Sequence, residues 1–388
     1  MRFGSLQALS STFVAWAPRP GAAWRLPFWG LALALGAVTL LRTGIWLMPN
    51  MVVSHTLALS PYANPFPAYP DAQYLCWSYL GPYLGHLMGT VSFSSFFLLH
   101  LGFTLAASCG FAWLAGRRLP DAEARLALWL YASLPVAGSI YYWLGMDGLI
   151  HGLMILAVLR PKSMAWGLGA GLLLGMQHFE SGLVGYSALA VAHFLATRLK
   201  AESPVDPRWL FGILAGLFLG RALLVVWFNY HDFEIGSGRT AWMLEHLEGM
   251  VLSVLKRPHL VLWGVFGGGW FMVAALCGAG AVRDRVALLV PLGGLLGLVF
   301  FVADTTRVMA NVTFPLLLSS VLINERVLRR LRATWALPMA RASLLIPLIF
   351  VVGGTASYSV IYHDFLWLQH ALTGAPELPG RWWDWPWR

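Results

Sequence analysis

Apolar runs of about 20 residues recur along the chain from Leu26 to Trp367. A helix of that length crosses a hydrocarbon core of about 30 Å. Only 11% of the 388 residues are charged and 58% are hydrophobic, and the mean hydropathy is +0.67. Because soluble domains carry about a quarter charged residues, the composition excludes a soluble globular protein. It predicts a polytopic membrane protein.

The apolar runs predict an all-α bundle of about eleven transmembrane helices, which form one integral membrane domain over residues 1–388. The fourth run would be only about 20 Å long at 1.5 Å per residue, so we expect it to pack inside protein or beside a water-filled cavity. The predicted spans are Leu26–Leu47, Ser92–Gly116, Arg125–Leu144, Asp147–Leu159, Met164–Gln177, Gly182–Thr197, Trp209–Phe228, His259–Gly280, Val286–Val302, Val308–Ile323 and Ala342–Ile361.

The basic residues between these runs predict the orientation of the bundle. Segments that face the cytoplasm are enriched in lysine and arginine. With Met1 in the cytoplasm, 18 of the 26 basic residues fall in cytoplasmic segments. We therefore expect a cytoplasmic N-terminus and an extracytoplasmic C-terminus. Since the basic residues lie in short clusters between apolar runs, topology accounts for them and no nucleic-acid partner is expected.

This topology leaves two long outer loops, at 48–91 and 229–258. The first contains the proline-rich stretch 60–71, which ends at Asp71; its prolines exclude a regular helix. The second contains the segment 242–255, in which four apolar residues share one helical face. That pattern predicts an interfacial amphipathic helix. The four residues are Leu244, Leu247, Val251 and Leu255.

Acidic side chains fall in all five predicted outer loops, which suggests a functional site at that side. Ionisable groups within or beside membrane spans are costly and usually functional. His151 lies one helical turn below Asp147, and Asn311 one turn below Arg307, so both stripes should point into the bundle. They predict a polar cavity that opens outward. The other polar residues at this side are Asp71, Gln177, His178, Glu180 and Asp304.

Two further arginines lie within spans. Arg42 could extend its guanidinium to the outer interface. Arg221 lies too deep for that, and its guanidinium suits a phosphate or carboxylate partner inside the cavity.

Most of the loop residues also have a purely structural interpretation. Asp71 could be a solvated turn former, and Asp147 could cap the helix that follows it. The segment from His178 to Glu180 could close a helical hairpin. Asp304 and Arg307, three residues apart, could form an internal ion pair.

The order of these features resembles the type C superfamily of membrane glycosyltransferases, which take a sugar from a polyprenyl-phosphate carrier. The shared features are a cytoplasmic N-terminus, one span, a long outer loop with an aspartate, two spans, and a second outer loop with an acid. Asp71 in Tyr69-Pro-Asp-Ala-Gln-Tyr74 and Asp147 in Leu144-Gly-Met-Asp-Gly148 match the two acids. The chain departs from the family in lacking a paired acid at position 71 and a large soluble C-terminal domain. The first departure argues against a bound metal, and the second leaves the acceptor open.

The resemblance implies a transferase with Asp71 and Asp147 as catalytic residues. Transfer needs a base for the acceptor hydroxyl and cations for the departing phosphate, for which Arg221 and Arg307 are candidates, with His178 as a further donor. We expect a polyprenyl-phosphate-linked sugar, a glycan, lipid or protein acceptor and membrane lipids as partners, and no cofactor or metal. The remaining candidate substrate-binding residues are Gln177, Glu180, Asp304 and His151.

Two other classes of protein fit the same residues. A polysaccharide ligase, a polymerase or an acyltransferase would rely mainly on His178 and Arg307. A lipid or sugar transporter would use the charges inside the membrane as a substrate path. With only three lysines among many Ala, Leu, Gly, Trp and Arg residues, the composition is typical of a GC-rich bacterium. It predicts an inner-membrane protein whose site faces the periplasm.

Overall fold

The computed structural model describes residues 26–45, 49–66, 73–233, 235, 244–279, 281–302, 304–346, 348–352 and 355–358. Helices make up most of these residues, and two short strands form one antiparallel hairpin. Asp71, the first of the two predicted catalytic residues, lies outside the described residues.

The helices are α1 (Phe28–Thr43), α2 (Pro49–Leu59), α3 (Leu80–Leu87), α4 (Phe93–Arg118), α5 (Asp121–Ser133), α6 (Pro135–Tyr142), α7 (Asp147–Ala157), α8 (Met164–Arg198), α9 (Pro207–Tyr230), α10 (Leu247–Lys256), α11 (Pro258–Phe266), α12 (Gly269–Ala279), α13 (Val282–Leu296), α14 (Thr305–Leu317), α15 (Glu325–Arg332) and α16 (Ala336–Ser343). The shorter elements are 3₁₀ turns at Tyr74–Trp77 and Gly297–Phe301, a π-helical turn at Leu318–Leu322, and strands β1 (Ile349–Val352) and β2 (Thr355–Tyr358).

Among the described residues, four helices are long and apolar enough to cross a membrane: α4, α8, α9, and α13 with the 3₁₀ turn that follows it. Two bent pairs, α11 with α12 and α14 with α15, would raise the number to six. Each pair is bent by 76°. The structure is therefore that of a helical membrane protein. The number of eleven spans and the orientation of the termini remain predictions.

Helix α8 consists of two helices that meet at His178, whose φ of −161° and ψ of 81° are not helical. Gly167 and Tyr186 both contact Trp209: a Cβ built at Gly167 would lie 2.5 Å from the Trp209 carbonyl oxygen, and the Tyr186 and Trp209 ring centroids are 6.0 Å apart. In a straight helix two residues 19 positions apart would be separated by roughly 28 Å. The chain therefore doubles back at His178, as expected for the fifth and sixth predicted spans.

The first half of α8 packs in parallel against α9 through two rows of glycines at four-residue spacing. At each of these glycines, an added Cβ would overlap the backbone of the opposite helix. Small residues at this spacing let two membrane helices approach closely enough for backbone-to-backbone van der Waals contact. The two glycine rows are Gly167, Gly171 and Gly175 on α8 and Gly212, Gly216 and Gly220 on α9.

Arg42 binds the carbonyl groups of two helix ends. Its guanidinium donates to the backbone oxygens of Ala132, Ser343 and Ile346 at 2.8 to 3.2 Å. Ala132 lies at the end of α5 and Ser343 ends α16, where carbonyls lack helical partners. A cation is also favoured at the negative end of a helix dipole. Whether this point lies at the outer interface remains a prediction.

A third helix break, between α11 and α12, lies next to the ends of α5 and α16. We call this meeting point of three helix breaks the arginine junction. Gly267 separates α11 from α12 and has a φ of 49°, a left-handed conformation that glycine adopts without strain. The amide of Gly268 donates to the carbonyl of Ser133 at 3.1 Å. Pro135, two residues after Ser133, starts α6, so the predicted span Arg125–Leu144 is two helices broken at Leu134.

The last predicted span, Ala342–Ile361, is wrong as a continuous helix. Helix α16 ends at Ser343, and β1 pairs with β2 in a hairpin that places Val352 opposite Thr355. Pro347 cannot continue a helix. The β-branched and aromatic run of β1 is followed in the sequence by two glycines, the pattern typical of a two-residue hairpin turn.

Strand β1 packs inside the bundle. The ring of Phe350 stacks on Tyr142 of α6, with centroids 4.0 Å apart and planes 6° from parallel. The amide of Val351 donates to Oγ1 of Thr306, at the start of α14, over 2.9 Å. Extended backbone is tolerated at membrane depth when protein buries it in this way.

Both predicted outer loops contain helices. The first, 48–91, contains α2, α3 and a 3₁₀ turn, and the second contains α10. In α10, Met250 and Val254 are buried where the helix packs against the 3₁₀ turn after α13. Leu244 and Leu255, two residues of the predicted apolar face, are 63% and 61% exposed, and their contact with the membrane interface remains a prediction.

The contact between the two glycine rows predicts a large difference between two neighbouring substitutions on α8. A Cβ at Gly171 would overlap the Ile213 carbonyl, whereas a Cβ at Gly169 has nothing within 4 Å. We expect Gly171→Ala to lower the free energy of unfolding by about 1–3 kcal/mol because of overpacking. Gly169→Ala should be neutral or stabilising, since alanine favours helix. Thermal unfolding of both variants in detergent tests this, and equal midpoints would contradict the packing.

Candidate functional site

A group of five polar side chains from α7 and α14 forms the main buried ionic site among the described residues. Arg307 Nε donates to both carboxylate oxygens of Asp147, at 3.0 and 3.1 Å. Asn311 Nδ2 donates to Asp147 Oδ1 at 3.1 Å, and His151 Nε2 lies 2.7 Å from Asn311 Oδ1. Arg307 Nη1 also lies 3.5 Å from Asp304 Oδ2. We call these five residues the aspartate–arginine cluster.

The cluster is closed to solvent except at Asp304. Asp147 and His151 are fully buried, and Arg307 is only 7% exposed. The side chain of Asp304 is 25% exposed and is therefore the member that reaches the surface. The Arg307 guanidinium also lies 4.5 Å from the centroid of the Trp143 ring, an attractive arrangement for a cation and an aromatic face.

Four-residue spacing on two helices assembles the cluster. Asp147 and His151 are one turn apart on α7, and Arg307 and Asn311 are one turn apart on α14, so two polar stripes face each other across the bundle. Close approach to α4 fixes the start of α7, since a Cβ at Gly148 would overlap Thr104. Both predicted stripes are confirmed.

Two of the structural interpretations are decided by these contacts. The predicted pair of Asp304 and Arg307 is confirmed as part of a larger group. The Asp147 carboxylate binds Arg307 and Asn311, and the N-cap of α7 is Met146, so the capping interpretation of Asp147 is wrong. A buried ion pair of this kind is tolerated because each charge meets a partner and further hydrogen bonds.

A second polar group, which we call the Arg221 cage, surrounds the deep arginine of α9. The Arg221 Cζ lies 3.3 Å from the centroid of the Trp77 ring and 5.7 Å from that of Phe179. Its Nη2 lies 3.7 Å from Glu180 Oε1. Trp77 comes from the first outer loop, whereas Phe179 and Glu180 follow the turn of α8. The side chains of Arg221 and Glu180 are 24% and 41% exposed, so the cage is open.

Gln177 and His178 stabilise the turn of α8 through hydrogen bonds. Gln177 is fully buried, and its Oε1 accepts a hydrogen bond of 2.8 Å from the amide of Gly81 in α3. His178 Nδ1 accepts a hydrogen bond of 3.3 Å from the amide of Ser181 and lies 3.6 Å from Glu180. The predicted hairpin-closing role of His178 is confirmed. Contact of either side chain with substrate remains a prediction.

The two arginines predicted to share one phosphate belong to different groups. Arg221 pairs with Glu180, and Arg307 pairs with Asp147 and Asp304. Helix α8 packs against both α9 and α14, the helices that carry them. The candidate site therefore consists of one sealed group and one open group.

Sequence reasoning missed the two tryptophans that lie over these guanidinium groups. Trp77 lies six residues after Asp71, and Trp143 lies four residues before Asp147. Aromatic residues close to loop acids were the signal that could have found them, because an arginine at membrane depth is often stabilised by an aromatic face.

Comparison with known protein families, curated proteins and solved structures finds no match for this chain. Within the described ranges, no three histidine, cysteine, aspartate or glutamate side chains are placed so that they could share a metal ion. The function is therefore argued from the chemistry of the two groups.

The aspartate–arginine cluster predicts that a double substitution is milder than a single one. Asp147→Leu leaves Arg307 buried without its main partner and should lower the free energy of unfolding by about 3–5 kcal/mol. Adding Arg307→Met removes the unpaired charge and should recover most of that loss. Thermal unfolding in detergent measures both variants.

Arg329→Met is the matched control, because Arg329 pairs with Glu325 at the surface. It should cost no more than about 1 kcal/mol. Equal losses in the single and double variants would contradict the assignment of Asp147 and Arg307 as mutual partners.

Proposed function

We propose that this protein is a membrane glycosyltransferase that moves a sugar from a polyprenyl-phosphate carrier to a glycan, lipid or protein acceptor outside the cytoplasm. The resemblance to the type C superfamily and the bacterial composition support an inner-membrane location, with the transfer site toward the periplasm. The observation that carries the proposal is the open Arg221 cage, which presents a cation at membrane depth.

Arg221 lies on a helix whose surroundings suit a lipid-borne phosphate. Its neighbours Leu219 and Leu223 are 41% and 45% exposed, so this part of α9 faces the lipid. Arg221 lies 14 residues after the first residue of α9, about 21 Å along the helix axis. A polyprenyl tail could remain in the hydrocarbon while its phosphate meets the guanidinium.

The chemistry of transfer gives Arg221 its role. When the bond between the sugar and the carrier breaks, the departing phosphate gains negative charge. A guanidinium can meet two of its oxygens with parallel hydrogen bonds. At 3.7 Å, Glu180 is close enough to orient Arg221 and too far for a tight hydrogen bond. In this proposal the phosphate binds the guanidinium beside Glu180.

The two aspartates take different roles in this proposal. Asp147 is sealed and already bound to Arg307 and Asn311, so it is a positioning residue for α14. Asp71 remains the candidate base, since the first outer loop to which it belongs also supplies Trp77 to the Arg221 cage. Asp304, the exposed end of the cluster, is the candidate contact for the sugar or the acceptor.

A transporter of the same lipid-linked sugar is the second candidate, and the bent helices favour it. Discontinuous helices near the bilayer midplane are typical of transporter binding sites. Two pairs here are bent by 76°, and the arginine junction joins three helix breaks. Purified protein in vesicles that moves the carrier across the bilayer without forming a glycosidic bond would favour the transporter.

Arg221→Leu should preserve membrane insertion and weaken binding of a polyprenyl phosphate about tenfold to a hundredfold. The reason is that hydrogen bonds to a charged group contribute about 1.5–3 kcal/mol each. Arg208→Leu is the matched control, since Arg208 lies exposed at the start of the same helix. Binding is measured with purified protein in nanodiscs. Equal affinity in the Arg221 and Arg208 variants would remove Arg221 from the site.

Asp71→Asn should lower the rate of sugar transfer about 10²- to 10⁴-fold, because the amide cannot take the acceptor's proton. Donor binding should be unchanged. Asp147→Asn should lose less, since that residue acts through Arg307. The measurement is transfer of sugar from a polyprenyl-phosphate donor in nanodiscs, with and without a chelator. Full activity in Asp71→Asn would overturn the base assignment, and loss of activity to chelator that magnesium restores would overturn the expectation of no metal.

A further inference from the structure

A cavity of about 420 Å³ opens at the end of the bundle that carries the arginine-rich segments, which is the predicted cytoplasmic face. Its walls come from the end of α8, the start of α13, the π-helical turn and α15. Five basic and two acidic side chains line it, which leaves a formal charge of +3. The five basic residues are Lys200, Arg283, Arg285, Arg326 and Arg330.

The two acids neutralise only two of these cations. Arg326 pairs with Glu202 and Arg330 pairs with Asp284, each at 2.6 Å. In the described part of the chain, Lys200 and Arg283 form no ion pair. The cavity therefore keeps at least two cations for a ligand.

A serine of the π-helical turn also lies at this cavity. Ser320 lines the cavity and is 9% exposed, and its Oγ has no hydrogen-bond partner among the described residues. It belongs to the π-helical turn, and such turns occur frequently at functional sites.

Arg285 adds a further positive charge to the lining of the cavity. Its Nη1 donates to the carbonyl of Cys277. The remaining wall of the cavity is apolar and includes Ala192, Ala196 and Leu288. The cavity thus combines positively charged side chains with apolar wall residues.

We propose that this cavity binds a ligand through its phosphate group. A phosphate combines negative charge with several acceptor oxygens, which matches a set of cations and donors. The source could be an anionic phospholipid, since basic pockets between helices at the cytoplasmic side bind such headgroups, or a soluble phosphate compound. The site is separate from the Arg221 cage and does not depend on the proposed transferase activity.

The test uses the whole chain in detergent with three probes. Cardiolipin carries two phosphates, and inorganic pyrophosphate is the soluble phosphate compound. Phosphatidylcholine, which has no net charge, is the negative control. Thermal stabilisation and native mass spectrometry measure binding. The first variant is Lys200→Gln with Arg283→Gln, which breaks no ion pair. The second is Ser320→Ala. The control is Arg198→Gln with Arg329→Gln, which removes the same charge from residues that do not line the cavity.

We expect saturable binding of cardiolipin or pyrophosphate by the unaltered protein and not of phosphatidylcholine. The Lys200 and Arg283 variant should lose affinity at least about tenfold, whereas the control should stay within about twofold. Binding of cardiolipin alone supports a lipid ligand, and competition by pyrophosphate supports a soluble one. The proposal is overturned if no probe binds saturably, or if both cavity variants bind as tightly as the control.

Discussion

The whole architecture depends on one constraint: a backbone polar group at membrane depth has no water to bind and must find a partner inside the protein. The bundle breaks helices within or close to its apolar segments, and each break frees carbonyl groups. Arg42 meets those of Ala132, Ser343 and Ile346, and the Gly268 amide meets that of Ser133. The Arg42 side chain thus supplies the hydrogen bonds that capping groups or water supply to the last carbonyls of a helix in a soluble protein.

The two polar groups of the candidate site differ in how far solvent or a ligand can reach them. The aspartate–arginine cluster is sealed and joins α7 to α14, so its charges stabilise the arrangement of helices and expose only Asp304. The Arg221 cage is more exposed, with 24% of the Arg221 side chain and 41% of the Glu180 side chain accessible. The sealed cluster therefore stabilises the helix arrangement, whereas the cage is the group that a ligand could reach.

Local patterns in the sequence predicted the parts of the site that depend on neighbours along one helix. The stripes from Asp147 and Arg307 and the turn at His178 follow from helical spacing and from the alternation of apolar runs, and both are confirmed. The partners of Arg42 lie about 90 and 300 residues away, and no spacing rule reaches that far. The β hairpin did have a local signal, namely Pro347 and the paired glycines. The prediction of a helical span there was wrong because it followed the hydrophobicity of the segment instead.

The glycine rows have a consequence for how the protein is made. Two parallel helices that touch must be separated in the chain by a return crossing, and here the second half of α8 is that crossing. The close-packed face of Gly167 to Gly175 therefore has no partner until Gly212 to Gly220 leave the ribosome and enter the bilayer. Residues 164–230 thus form a three-helix unit that can close only after its last helix is synthesised.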